Sequence, residues 1–272
     1  MLPRVSNLEL DAVSAIVRAE RIFAFEEHED LPIFARRFSP RDLQLHLLPT
    51  RPPVIAGFDF SAISIPAALV GGDHFNFLSV GGDCTGILLF DVSGKGAVAA
   101  LLASRLRSIF RAQAWGNRDP RDVMLRANDF LLRLIPPANF VTAIYGVLDA
   151  KKRVFTFARA GHEPLLHRRA NGEIETLAPH GMPLGIVERA EFASLLETQQ
   201  IKLEAGERLL MFSDGLTEAM NEDEDEFGME RILQTLSATK NDDIGALHSA
   251  VETFVGQAPQ HDDITILGLQ AK

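Results

Sequence analysis

One cysteine, Cys84, stands in 272 residues, so no disulfide can form within the chain. That usage fits a reducing compartment. No apolar run approaches the roughly 18 residues that a membrane-spanning helix needs. The opening "MLPRVSNLELDAV" also lacks the basic-then-apolar pattern of a secretory signal. The chain is therefore read as cytoplasmic, with no membrane partner. Basic residues are in deficit, 27 against 37 acidic, for a net charge of −10. Nucleic-acid binding leans on lysine and arginine, so that class of partner is excluded as the expectation. Phosphorylated ligands stay open, because bound divalent cations can supply the missing positive charge. No internal repeat shows at periods of 20 to 50 residues. The acid run Glu222 to Glu226 has neither alternating ligands nor a central glycine, so it reads as a solvated loop rather than a calcium loop.

What is present divides into two unequal parts. Residues 1–50 read as a helical appendage. Leu10, Val13, Val17 and Ile22 fall near helical spacing, and Ser39-Pro40 opens a second short helix that ends by Pro49. Two readings of this segment stay open: a regulatory or dimerisation segment that docks an activator or a second copy, or a remnant that serves only as a packing helix. Residues 51–272 alternate strand-like runs with turns and two groups of helices. "GILLFDV" reads as a buried strand and "AVAALLASRLRSIFRAQAW" as the helix after it. Asp119-Pro120 caps and opens another helix. "FVTAIYGVLD" and "RVFTFARAG" form one hairpin, and "EPLLHRR" and "EIETL" form a second around Asn171-Gly172. "ERLLMFSDG" reads as a strand running into a turn, "MERILQTLSA" and "DDIGALHSAVETFVG" as helices, and "DDITILGLQ" as a closing strand. Successive hairpins with grouped helices indicate an α+β layered domain rather than a doubly wound parallel sheet.

"LFDVSGKGA", residues 89–97, looks at first like a phosphate-binding loop with its lysine. A P-loop requires a glycine where Leu89 stands and Ser or Thr where Gly96 stands, so that reading fails. The chemistry shifts to acids at strand ends. Asp73 follows Gly71-Gly72, Asp91 closes "GILLF" before Ser93-Gly94, Asp214 closes "RLLMFS" before Gly215, and Asp262-Asp263 opens the last strand. Glycine beside Asp73 and Asp214, and in the turn after Asp91, lets backbone and ligand approach closely. Taken singly, each aspartate is as consistent with an Asx-turn or a helix cap as with a ligand. If they converge, the carboxylates repel one another unless they are protonated or neutralised by cations. An oxygen-only set without a histidine or cysteine cluster selects hard ions such as Mg²⁺ or Mn²⁺.

The order of these motifs is Gly71-Gly72-Asp73, Asp91-Val92-Ser93-Gly94-Lys95-Gly96, Ala160-Gly161-His162, Ser213-Asp214-Gly215-Leu216-Thr217-Glu218-Ala219, then Asp262-Asp263-Ile264-Thr265. It resembles the type 2C metal-dependent serine/threonine protein phosphatases, specifically their bacterial SpoIIE- and RsbU-like branch. "NFVTAIYGVLD", "GMPLGI" and "LQLHLLP" are also similar to segments of that family, so the likeness runs from about Leu47 to the C-terminus. The resemblance implies a four-layer α-β-β-α sandwich of two antiparallel sheets flanked by helices. It implies two Mn²⁺ or Mg²⁺ ions at one edge, and hydrolysis of phosphoserine or phosphothreonine through attack by a metal-activated water. By position, Asp91 would bridge both ions and the Val92 carbonyl would ligate one. Asp214 and Asp262 would hold the other, Asp263 is the alternative beside Asp262, and Asp73 would act directly or through water. The implied substrate is a phosphorylated regulatory protein, an anti-sigma-factor antagonist.

Three departures are visible. His74 and Asn76 stand where this branch commonly has an aromatic and an acid. Ser93 stands where many eukaryotic relatives carry a histidine proposed as general acid, and His162 is then an alternative donor or a structural loop residue. Lys95 is left as a supporting or surface charge. Two rival readings stand beside the phosphatase. A diguanylate cyclase is suggested by Gly71-Gly72-Asp73-His74-Phe75, but the metal-binding acid of that family's motif is missing. A phosphatase fold that binds a partner without catalysis stays as the alternative, opposed by the retention of every acid. Cys84 lacks the Cys-x5-Arg loop of cysteine phosphatases.

Overall fold

The computed structural model describes residues 48–49, 51–135 and 139–272. The two helices expected within residues 1–50 lie outside the described residues. Ten strands form two five-stranded sheets. The first sheet contains β1 (Phe58–Ile65), β6 (Leu165–Arg168), β7 (Ile174–Leu177), β9 (Arg208–Phe212) and β10 (Ile264–Ala271), in the order β1-β10-β9-β6-β7. The second contains β2 (His74–Ser79), β3 (Cys84–Val92), β4 (Val141–Asp149), β5 (Val154–Ala160) and β8 (Thr198–Lys202), in the order β2-β3-β4-β5-β8. Every paired neighbour is antiparallel.

The strand sequences explain the layering. In β3, Ile87 and Leu89 point into the space between the sheets, while Leu88, Phe90 and Val92 point the other way, under helices. With both faces covered, the strand is almost continuously apolar, as a strand buried on both sides must be. The inter-sheet core gathers Phe58, Phe60, Phe75, Leu148, Phe155, Phe157, Leu209, Met211, Leu267 and Leu269. Phe155 and Phe157 stack there with ring centroids 5.8 Å apart. Leu48, next to the predicted boundary at residue 50, is buried in this same core.

Helices α1 (Ala97–Ala114), α2 (Pro120–Leu131) and α3 (Arg189–Leu195) cover the outer face of the second sheet. Helices α4 (Asp214–Thr217), α5 (Gly228–Ala238) and α6 (Asp243–Val255) lie on the first. Asp119 caps α2 by accepting the Arg121 N–H at 2.9 Å, with Pro120 in the first turn, as the sequence predicts. Asp242 caps α6 through the Gly245 N–H, also at 2.9 Å. Buried Arg168 and partly buried Arg208 both bond Asp243, tying β6 and β9 to the start of α6.

The four-layer α-β-β-α sandwich expected from the sequence is the fold observed. Both predicted hairpins are present as β4–β5 and β6–β7. Helix α3 and strand β8 are not singled out by the sequence. Strand β8, "TQQIK", carries one fully inward residue, Ile201, so its pattern is too weak to mark an edge strand.

Because Phe157 is wholly buried between the sheets, Phe157→Ala should destabilise the domain by about 3–5 kcal/mol. A urea-denaturation midpoint that stays unchanged would contradict this packing.

Candidate active site

The five aspartates come from both sheets and meet at one edge of the sandwich. Asp91 is the last residue but one of β3, and Asp73 immediately precedes β2, its paired neighbour. Asp214 opens α4 directly after β9, and Asp262-Asp263 leads into β10, paired with β9. Close approaches bind this edge, one between the sheets at Gly71 and one within the first sheet at Gly215. A Cβ on Gly71 would lie 1.8 Å from Asp263 Oδ2, and one on Gly215 would lie 2.0 Å from the Asp263 carbonyl oxygen. A Cβ on Gly72 would come within 2.8 Å of the Val92 carbonyl and 3.0 Å of Asp91 Oδ1. The glycines are thus required by proximity: the backbone of residues 71–72 lies directly on the oxygens expected to be ligands.

Hydrogen bonds fix the frame beneath. Ser213 is fully buried; its Oγ accepts the Thr265 N–H at 2.9 Å and donates to the Asp263 carbonyl at 3.2 Å. Asp263 accepts the backbone N–H of Ala67 at 2.8 Å and that of Asp73 at 3.3 Å, one on each carboxylate oxygen. Its charge therefore holds the loop between β1 and β2. Asp262 accepts the Asp263 N–H on Oδ1, and its Oδ2 lies 3.2 Å from Lys95 Nζ.

Electrostatics at this edge are unfavourable to negative charge. Burial pushes the Asp91 carboxyl up to about 7, and the charges of Asp214, Asp262 and Asp263 add to the rise. Asp73 is raised well above the usual carboxylate range by burial first and then by Asp91 and Asp263. Burial also raises Asp214, with Asp262 contributing. Asp73 Oδ2 is buried with no hydrogen-bond partner. Among the described residues no three His, Cys, Asp or Glu side chains form a ready-made cation cage. The donors nonetheless fit a hard divalent ion: they are all oxygens, one is orphaned, and their shared charge has no adequate counter-ion.

Asp73, Asp91, Val92, Asp214, Asp262 and Asp263 are thus brought to one edge, as the sequence motifs anticipate. Glu163 and Glu218 are acids that the sequence reading did not select. Glu163 is raised chiefly by burial and also by Asp214, and accepts the Thr217 hydroxyl at 3.3 Å. Glu218 is raised by burial and then by Asp214. Their signal was present, since one follows Ala160-Gly161-His162 and the other lies inside Ser213-to-Ala219.

The departing residues have defined roles. Ser93 Oγ accepts the Phe140 N–H at 2.8 Å, and Asn139 Nδ2 donates to the Ser93 carbonyl at 3.0 Å. Ser93 is a latch between the β3–α1 loop and the start of β4. His162 is buried, bonds Thr142 Oγ1 through Nδ1 at 2.9 Å, and is pushed down to about 3 by burial and then by Arg159. Thr142 sits directly across the ladder from Asp91. His74 is likewise held neutral by burial, then by Arg107, and packs on Phe90 with ring centroids 5.2 Å apart.

Solved structures share this architecture. The SiaA-PP2C domain of Pseudomonas aeruginosa superposes with a TM-score of 0.74 over 85% of this chain and 94% of that one, at 21% identity. The sandwich is therefore the type 2C phosphatase fold. Residues 81–272 match the family described as Stage II sporulation protein E (SpoIIE), and the chain belongs to that family. Phosphoserine phosphatase RsbU of Bacillus subtilis is 28% identical over 205 residues, covering 73% of this chain and 60% of RsbU. Protein IcfG of Synechocystis is 27% identical over 260 residues, covering 84% of this chain and 40% of IcfG. The chain thus spans between 40% and 60% of the length of these relatives.

The raised Asp91 gives a pH prediction for the cation-free protein. Its folded value near 7 exceeds its ordinary value of 3.8, so its contribution to stability is complete below about 4 and is lost as pH rises through 7. The melting temperature in chelator should fall between pH 5 and 8, and saturating Mn²⁺ or Mg²⁺ should reduce that slope. An equally flat profile in chelator would refute the convergence of charge at Asp91.

Proposed function

We propose that this domain is a metal-dependent protein phosphatase acting on phosphoserine or phosphothreonine in a regulatory protein. The observation that carries the reading is the convergence of Asp73, Asp91, Asp214, Asp262 and Asp263, drawn from two sheets, on one edge where burial and mutual repulsion disfavour the charge of Asp73, Asp91 and Asp214. In this reading Asp91 and the Val92 carbonyl stand centrally, with Asp214 and Asp262 on one flank and Asp73 on the other. Divalent cations, Mn²⁺ or Mg²⁺ and two per site, would supply Lewis acidity toward phosphate and an acidified water.

The chain's own residues position those ligands. Gly72 admits the backbone against Asp91 and Gly71 against Asp263, Ser213 clamps the β9 and β10 ends together, and Asp263 holds the β1–β2 loop instead of ligating. His162, neutral and bonded to Thr142, orients the side chain opposite Asp91 rather than donating a proton near neutral pH. The likeness to a phosphoserine phosphatase supports the reaction class. The family resemblance supports an anti-sigma-factor antagonist as substrate, and residues 1–50 as a segment for activation or self-association. No helix among the described residues is long and apolar enough to cross a membrane.

The test is release of phosphate from a phosphoserine peptide. Turnover should require Mn²⁺ or Mg²⁺ and vanish with chelator. Asp91→Asn should lower it beyond the roughly 10- to 100-fold typical of removing a group that only orients a metal ligand. Wild-type protein with Mn²⁺ that turns over neither phosphopeptides nor a chromogenic phosphate ester would favour the non-catalytic binding module.

A further inference from the structure

Lys95 is the cation of the Asp91-to-Gly96 motif, and the proposed reaction leaves it without a role. It lies in the turn between β3 and α1, flanked by Gly94 at φ +102° and Gly96 at φ +75°. Both glycines occupy the left-handed region that ordinary side chains avoid. The turn sends Lys95 away from its own strand and across to the other sheet. Its Nζ lies 3.2 Å from Asp262 Oδ2 and donates to the His261 carbonyl at 2.5 Å. Both partners belong to the segment that leads into β10, more than 160 residues further along the chain. Among the described residues, Lys95 is the one cation ion-paired with any of the five aspartates. Its field also reaches Asp214, where it opposes the rise caused by burial and Asp262.

We propose that Lys95 sets the divalent-cation affinity of the Asp262 flank by occupying that carboxylate as a built-in counter-ion. A metal ion must displace it. The inference rests on reading the edge as a cation site, and it assigns the two flanks unequal affinities. The Asp91–Asp73 flank has no such competitor, whereas the Asp214–Asp262 flank does. The pair is accessible, with side-chain exposures of 63% for Lys95 and 39% for Asp262. An ion pair so exposed is weak, so it tunes the site without blocking it. A divalent ion gains direct contact with several oxygens and outcompetes a single solvated ammonium. The long Lys95 side chain then swings out while its backbone turn stays in place.

The experiment is calorimetric titration of the full chain with Mn²⁺, without substrate, for wild type, Lys95→Met and Lys95→Arg. In Lys95→Met the weaker binding event should tighten about two- to fivefold, the range that loss of an exposed ion pair allows. If a single event is resolved, that event should tighten. Lys95→Arg, which keeps the charge, should stay near wild type. Thermal melts give an independent reading. The metal-free Lys95→Met protein should melt below metal-free wild type, because Asp262 has lost its partner, and the two Mn²⁺-saturated proteins should melt together. Mn²⁺ affinity in Lys95→Met that equals or falls below wild type would overturn the role of Lys95 alone. Wild-type protein that binds no Mn²⁺ would remove the cation site and this role together.

Discussion

Everything at the working edge depends on one electrostatic constraint: carboxylates from two sheets are held where burial and mutual repulsion disfavour their charge. A protein interior does not tolerate such groupings unless protons, cations or hydrogen-bond donors compensate them. Each aspartate here is compensated differently. Asp263 receives two backbone N–H groups. Asp262 receives a lysine. Asp91 and Asp73 receive too little and respond by rising well above the carboxylate range. Asp91 also lies against Gly72, where an added Cβ would come within 3.0 Å of its Oδ1.

The rest of the sandwich serves that constraint by being stiff. The sheets share an inter-sheet core rich in phenylalanine, and each outer face is sealed by its own helices. Close-packed layers resist the small movements by which repelling carboxylates would separate. At the edge itself, packing gives way to hydrogen bonds. Ser213 joins β9 to β10, and Asp263 joins the start of β10 to the residue that precedes β2. The repulsion is thus resisted by covalent turns, glycine contacts and a small number of directed bonds, and a bound cation would relieve it.

Much of this was legible in the sequence, because strand-end aspartates beside glycine form an ordered set and because buried strands such as "GILLFDV" declare themselves by continuous apolarity. The four-layer architecture followed from the family resemblance, and the spacing of hairpins and helices agreed with it. Other features left weaker traces. Glu163 and Glu218 lie inside recognisable motifs, but their proximity to Asp214 is a tertiary fact. The difference in hydrogen bonding between Asp262 and Asp263 is likewise invisible in two adjacent identical residues. It emerges only when the Ala67 and Asp73 amides are seen to point at one of them. Strand β8 and helix α3 were missed because an exposed edge strand and a two-turn helix carry little periodic signal.

The Asp91-to-Gly96 loop shows why a lysine between glycines misleads a reader of phosphate loops. Six residues perform three separate tasks in succession. Asp91 and Val92 present oxygens toward Gly72. Ser93 turns back to latch onto Asn139 and Phe140 at the start of β4. Lys95 then crosses to the 261–262 segment of the other sheet. A P-loop uses its glycines to aim successive backbone N–H groups at one anion. Here the glycines at 94 and 96 change the chain's direction between tasks, so the loop connects β3, β4 and the approach to β10 within one short stretch. The same composition therefore serves opposite electrostatics: a P-loop concentrates positive charge on phosphate, whereas this loop distributes a single positive charge onto an aspartate of a negative site. In the proposed reading, phosphate recognition at such an edge would depend on cations that the acids recruit, and Lys95 would compete with those cations at Asp262.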